Sequence, residues 1–83
     1  MTDEERHAKL ASLAHCTAMG EKAYDDMYEV HSFRDANDCY RDAKDYFYDA
    51  ISLAGELGLT EEHDRLSERL AHIKAVYRSQ FAC

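Results

Sequence analysis

The chain has 83 residues, a formal net charge of −7, no proline and three cysteines. This length allows a single domain, residues 1–83, with one modest hydrophobic core. The excess of acidic residues lies in the first two thirds of the chain, and the sequence contains no basic cluster that would attract phosphates or anionic lipid. We therefore expect neither direct nucleic-acid binding nor membrane binding.

The sequence also bears on the cellular compartment. The N-terminal stretch MTDEERHAKL is acidic and lacks the apolar segment of a secretory signal. No apolar run approaches the ~18 residues of a membrane span. The cysteines form no close-spaced pair, which favours a reducing compartment over a disulfide framework. We predict a cytoplasmic protein.

The first predicted helix covers residues 3–31. Thr2 and Glu5 have the spacing of a capping box, in which the Thr2 side chain satisfies a backbone donor of the first turn. Gly20 is an alternative end of this helix, because glycine costs ~1 kcal/mol relative to alanine inside a helix. The predicted core stripe consists of Leu10, Leu13, Thr17, Gly20, Tyr24, Met27 and His31.

The first helix carries a second apolar row beside this stripe. Its members are Ser12, Cys16, Met19, Ala23 and Val30. One buried face of a three-helix bundle does not require such a row, so it favours a partner surface, most simply in a homodimer. The alternative is a set of scattered apolar surface residues, which are common. We predict a self-association face formed by Cys16, Met19, Ala23 and Val30.

The second predicted helix covers residues 33–57 and begins after Ser32, a suitable N-cap. Because an α-helix turns 100° per residue, its apolar residues share one face. They are Ala36, Tyr40, Ala43, Phe47, Ala50, Ala54 and Leu57. Gly58 is suited to the left-handed residue that ends a helix, and Thr60 to capping the next one.

The third predicted helix covers residues 61–81 and ends near Phe81. Its apolar side carries Leu59, His63, Leu66, Leu70, Ile73 and Tyr77. No segment shows the period-2 alternation of a strand. Short connections between helices favour antiparallel neighbours. The predicted fold is therefore all-α, an antiparallel three-helix bundle, with dimerisation as a further means of completing the core.

Aspartates recur on the side of the second helix opposite its apolar stripe. They are Asp35, Asp38, Asp42, Asp45 and Asp49. Like charges three and four residues apart repel by a few tenths of a kcal/mol. The row is either a solvated face, whose repulsion Arg34 and Arg41 partly offset, or a docking face for a basic partner, or else a weak cation site. In the second case the contact residues are Asp38, Asp42, Asp45 and Asp49, together with Tyr48.

The spacing of the histidines and the setting of Cys39 bear on metal binding and catalysis. The histidines are His7, His15, His31, His63 and His72. They form no His-x-x-x-His pair, and the Glu-x-x-His spacing occurs once, at Glu4 and His7, whereas a di-iron bundle requires it on two helices. Cys39 lies at the margin of the second helix's apolar face and is interpreted as a small apolar residue. We expect no catalytic residue, no cofactor and no metal.

Part of the chain resembles a known helical repeat. Ala43, Phe47 and Ala50, with Ile51, Ala54, Leu57 and Gly58 after them, are similar to the second helix of a tetratricopeptide repeat. Ile73, Lys74 and Tyr77 are similar to the first helix of that repeat. The resemblance covers about residues 36–77. It implies helical-hairpin packing and a protein-binding function.

The leading functional prediction is a small acidic protein-interaction module without catalytic activity, acting as an adaptor, regulatory subunit or chaperone-like protein. Its partner is a protein of unknown identity, and the chain itself is expected to form a homodimer. An alternative is an acidic inhibitor that imitates nucleic-acid charge and occupies a basic DNA-binding protein. A small metal-binding or enzymatic helical bundle ranks third.

Overall fold

The computed structural model describes residues 1–80 of the chain as three helices. They are α1 (Asp3–Glu29), α2 (Phe33–Glu56) and α3 (Thr60–Gln80). The backbone of α2 approaches both α1 and α3 closely, so α2 is the central helix. The molecule measures 46 × 18 × 13 Å. The prediction of an all-α antiparallel three-helix bundle is confirmed, while dimerisation stays a prediction.

The helix ends follow the capping residues of the sequence. The Thr2 hydroxyl accepts a hydrogen bond of 3.1 Å from the backbone N–H of Glu5, and the Ser32 hydroxyl accepts one of 3.0 Å from that of Asp35. Gly58 has a φ of 71°, in the left-handed region that favours glycine. These three residues fix where α1 and α2 begin and where the chain turns into α3.

The observed boundaries differ from the predicted ones by one or two residues in three places, and the first of these is the end of α2 at Glu56 instead of residue 57. α1 ends at Glu29, because Val30 is extended and its N–H closes the last turn on the Asp26 carbonyl. His31 therefore lies exposed in the connection instead of on the core stripe. Thr60 is already the first residue of α3 and does not precede it. The predicted end near Phe81 lies outside the described residues.

Small residues at the α1–α2 contact allow the helices to approach. Ala43, Ala50 and Phe47 of α2 are fully buried. Gly20 lies inside α1 and does not end it, and a Cβ built on Gly20 would lie 2.8 Å from Cε2 of Phe47. The phenyl ring thus occupies the space that a side chain at position 20 would need. The rest of the core is Leu13, Tyr24, Met27, Ala36, Ala54, Leu57, Leu66, Leu70 and Ile73.

Aromatic rings join α2 to α3 near one end of the bundle. The rings of Tyr40 and Tyr77 stack with centroids 3.8 Å apart, and the Tyr77 hydroxyl donates a 2.8 Å hydrogen bond to Oδ1 of Asn37. Both tyrosines were predicted to lie on core stripes, and both pack at the edge of the core while remaining partly exposed. Their position lets the rings fill space while the hydroxyls reach polar partners.

A polar contact joins α1 to α3. Arg69 donates two hydrogen bonds of 2.8 Å to the carboxylate of Glu21, and its guanidinium lies 4.9 Å from the ring centroid of Tyr24. Tyr24 is buried and shares a 3.0 Å hydrogen bond with the hydroxyl of Tyr28. A bidentate pair of this kind fixes orientation as well as distance.

Burial of Tyr24 makes the fold sensitive to alkali. Burial and the hydrogen bond with Tyr28 raise the pKa of Tyr24 to about 12, whereas a tyrosine in the unfolded chain titrates near 10. Above about pH 10 the unfolded chain loses a proton that the folded chain retains. The free energy of unfolding is therefore expected to fall with pH, by up to about 1.4 kcal/mol per pH unit between these two pKa values.

Urea denaturation at a series of pH values from about 9 to about 11 would measure this slope. Tyr24→Phe is the control, because it keeps the ring and removes the titrating hydroxyl. We expect this variant to lose the part of the decline that Tyr24 contributes, while the part due to the raised thiol pKa values of Cys16 and Cys39 remains. An equal decline in both proteins would assign the pH dependence to other groups.

Candidate protein-interaction surfaces

The aspartate face of α2 comprises the side chains of Asp35, Asp38, Asp42, Asp45 and Asp49. All five are exposed, and they lie on the side of α2 opposite its buried alanines and Phe47. Asp38 and Asp49 are eleven residues apart, so the carboxylates between them extend over about 16 Å of helix. The sequence thus located the face correctly on the surface.

The basic side chains that form ion pairs in the structure bind carboxylates outside the aspartate face. The ion pairs that the structure shows between helices join Lys9 to Glu56 and Arg69 to Glu21. Those within a helix join Lys22 to Asp26 and Arg65 to Glu62, and His63 lies 3.3 Å from its neighbour Asp64. Within residues 1–80, Arg34 and Arg41 form no ion pair of 4 Å or less with the aspartate face. The negative charge of this face is therefore left uncompensated by close contacts.

The carboxylates act on two nearby thiols. Burial raises the pKa of the Cys39 thiol, and the charges of Asp26 and Asp42 raise it further. Burial also raises the pKa of the Cys16 thiol, and the charge of Asp49 raises it further. Because the thiolate is the nucleophilic form, both cysteines are poorly suited to nucleophilic chemistry. Both are partly buried and pack against the core.

Tyr48 lies at the border between the aspartate face and α3. Its side chain is 48% exposed. The Lys74 ammonium of α3 lies 4.8 Å from the centroid of its ring and donates a hydrogen bond to its hydroxyl. Tyr48 is thus held in one orientation beside the carboxylates, with about half of its surface open to a partner.

The second apolar row of α1 borders α2. Cys16, Ala23 and Val30 are partly buried and pack against the core. Met19 lines a shallow cavity of about 190 Å³ between α1 and α2, which Asp42 and Tyr46 also line. Contact with α2 therefore accounts for part of the row's apolar character, without a second copy. Self-association through these residues stays a prediction.

Sequence reasoning missed a groove on the other flank of α1. A cavity of about 390 Å³ opens there between α1 and α3. It is lined by Leu10, Leu13, Ala14, Thr17, Ala18, Glu21, Glu62 and Arg65. A signal was present in the sequence, since residues 10–20 form the longest run without a charged side chain. Leu10, which was predicted as a core residue, is 38% exposed at this groove.

Residues 1–80 contain no group of three or more histidine, cysteine or carboxylate side chains that could hold a metal ion. Over the same range, none of the helices combines the length and the apolar character that crossing a membrane needs.

Comparison with known proteins assigns no family to this chain, so it is classified by its fold. No protein-family model, no curated protein and no solved structure gives a significant match to it. The structure defines an acidic all-α protein with a three-helix bundle. The resemblance to a tetratricopeptide hairpin stays a prediction.

Proposed function

We propose that this protein is a non-catalytic interaction module that binds a basic protein partner through the aspartate face of α2. The observation that carries the proposal is the set of exposed carboxylates without a close basic counterpart in residues 1–80. Tyr48 adds a fixed, half-exposed aromatic ring at the border of that face.

Electrostatics supports a basic partner. Neighbouring carboxylates on one helix repel by a few tenths of a kcal/mol each, so the row weakens α2 in the isolated chain. Lysine or arginine side chains of a partner would remove this repulsion on binding and would accelerate association through long-range attraction. The spacing of three and four residues matches a partner helix whose basic residues have the same spacing.

Charge reversal on the aspartate face tests the proposal. We expect the double variant Asp42→Lys and Asp45→Lys to fold as the wild type does, because both side chains are exposed. It should lose the partner that wild-type protein captures from native cell extract, because the basic partner would now meet positive charge. Quantitative mass spectrometry of the captured proteins measures the loss, and circular dichroism checks the fold.

The matched control is the double variant Asp64→Lys and Glu68→Lys, which changes the net charge by the same amount on an exposed side of α3. The control should retain the partner. Equal capture by the two variants, or capture that is indifferent to salt, would contradict the proposal. If duplex DNA displaces the captured protein, the alternative of a nucleic-acid-mimicking inhibitor describes this chain better.

A further inference from the structure

The exposed side of α2 repeats every seven residues. Residues 33–39, 40–46 and 47–53 align as three heptads, FRDANDC, YRDAKDY and FYDAISL. The fourth position is a buried alanine in all three, as close packing of α2 between its neighbours favours. The second, third and sixth positions are exposed, and in the first two heptads they are arginine, aspartate and aspartate. Core packing does not explain this repeat of exposed charges.

A basic edge, formed by Arg34, Arg41 and the Tyr48–Lys74 pair, runs along the side of this surface that borders α3. Arg34 and Arg41, at the second position of their heptads, are about 10.5 Å apart along the helix. The third heptad has Tyr48 at this position, and the Lys74 ammonium of α3 lies 4.8 Å from the centroid of its ring. The positive charge that α2 lacks in the third heptad is thus supplied by α3. The basic edge therefore continues through all three heptads.

Carboxylates occupy the rest of the exposed side. Asp42, at the third position of its heptad, lines a cavity together with Met19 of α1, so this position borders α1. Asp38 and Asp45, at the sixth position, lie between the third position and the basic edge. Within residues 1–80, neither arginine of the basic edge forms an ion pair of 4 Å or less. In the first two heptads, each positive charge therefore stands beside two negative charges, and all of them are exposed.

We propose that this side of α2 binds an α-helix with the same seven-residue period, which carries two basic residues and one acidic residue in each heptad. The proposal rests on the proposed function, because this helix is the part of the basic partner that contacts the aspartate face. Two helices that lie side by side both advance about 10.5 Å per heptad, so their charges stay in step. The bases of the bound helix lie over the aspartates, and its carboxylates lie over the basic edge. A purely basic helix would leave the arginines opposite like charge.

The order of charges across α2 also sets the direction of the bound helix. The residues three and four positions after a given residue lie on opposite sides of it along a helix. From Asp38, the basic edge lies at the third following residue, Arg41, and the next aspartate lies at the fourth, Asp42. Facing helices oppose the same sides when they are antiparallel and opposite sides when they are parallel. A bound helix whose acid follows its central base by three residues is therefore antiparallel to α2, and one whose acid follows by four is parallel.

Three synthetic peptides of identical composition test the proposal on the full-length protein. Each consists of three copies of one heptad, whose first lysine is the central base. The edge peptide repeats Lys-Ala-Gln-Glu-Lys-Ala-Ala, with its acid three residues after the central base. The outward peptide repeats Lys-Ala-Glu-Gln-Lys-Ala-Ala, which moves the acid to the solvent side, and the reversed peptide repeats Lys-Ala-Gln-Lys-Glu-Ala-Ala, with its acid four residues after the central base. Circular dichroism of the free peptides checks that their helix contents are equal.

Calorimetric titration at low ionic strength should show the edge and reversed peptides binding about threefold to tenfold more tightly than the outward peptide. The double variant Arg34→Gln and Arg41→Gln should lose this preference, because no arginine remains opposite the acids. The double variant Arg6→Gln and Arg65→Gln is the matched control. It removes two exposed arginines of α1 and α3 that lie away from this side of α2, and it should keep the preference.

A nitroxide at the N-terminus of each peptide reports the direction of binding, because it broadens the amide NMR signals of nearby protein residues. The edge peptide should broaden the signals near Asp49, and the reversed peptide should broaden those near Asp35. Equal affinities of the edge and outward peptides, or broadening at the same end by the edge and reversed peptides, would overturn the proposal. Binding of all three that is lost in the variant Asp42→Lys and Asp45→Lys would in that case still support the proposed function. Absence of binding by all three peptides would overturn both.

Discussion

Replacing Phe47 by alanine is expected to lower the free energy of unfolding by about 3–5 kcal/mol. The phenyl ring is fully buried, and its edge lies against the backbone of α1 at Gly20. Its removal forfeits the burial of the ring and leaves a cavity between α1 and α2. A domain of this size has about 4–12 kcal/mol of stability in total, so the variant would retain only part of it. Urea denaturation followed by circular dichroism measures the difference.

Phe33→Ala provides the matched control for this experiment. Phe33 is 59% exposed at the start of α2, with its ring centroid 6.5 Å from that of Tyr77. The same substitution should cost less than about 1 kcal/mol there, because little apolar surface is uncovered. Similar losses at positions 33 and 47 would mean that Phe47 does not organise the core.

Replacing Gly20 by alanine is expected to destabilise the fold by up to about 2 kcal/mol, although alanine is the better helix former. Alanine would contribute ~1 kcal/mol through helix propensity. Its Cβ, however, would lie 2.8 Å from Cε2 and 2.9 Å from Cδ2 of Phe47. The ring is fully buried, so it must displace core neighbours in order to shift, and overpacking of this kind costs about 1–3 kcal/mol. Denaturant titration of the variant would measure the net effect.

Gly55→Ala measures the effect of helix propensity on stability without the steric clash that Gly20→Ala introduces. Gly55 is also in a helix, and the contact given for a Cβ built there is His63 Cδ2 at 3.8 Å, an ordinary distance. This variant should be neutral or more stable by up to ~1 kcal/mol. Combining Gly20→Ala with Phe47→Leu should cost less than the sum of the single changes, since the smaller side chain relieves the clash. A strictly additive double variant would refute the steric explanation.

Local sequence signals predicted the architecture because each of them acts over a few residues. Thr2, Ser32 and Gly58 set helix ends through their own hydroxyls or backbone conformation, and the structure uses all three. The stripe of α2 was also predictable, because its alanines and Phe47 recur at helical spacing and α2 is buried between two neighbours. The sequence did not predict the position of His31. Its position depends on how tightly the chain turns between α1 and α2, and the residue lies exposed in that connection.

The candidate surfaces depend on how whole helices are arranged, which local patterns do not encode. The aspartate face was placed correctly, because it lies opposite the one buried side of the central helix. The two apolar sides of α1 could not be assigned to neighbours in advance. Cys16 and Ala23 pack at the edge of the core, whereas Leu10 and Ala14 line the groove beside α3. Partner identity depends on a second molecule, and the sequence carries no record of it.

The central position of α2 also bears on how quickly the chain can find its structure. Nearly all close backbone approaches between helices within residues 1–80 join α1 to α2 or α2 to α3, and each of these pairs is consecutive in the chain. Contacts between sequence neighbours require the closure of only short loops, here residues 30–32 and 57–59. Proteins dominated by such local contacts are the fastest folders. Each pair of consecutive helices can therefore form a hairpin without the third helix. The apolar faces of the helices are then exposed to other chains only briefly during folding.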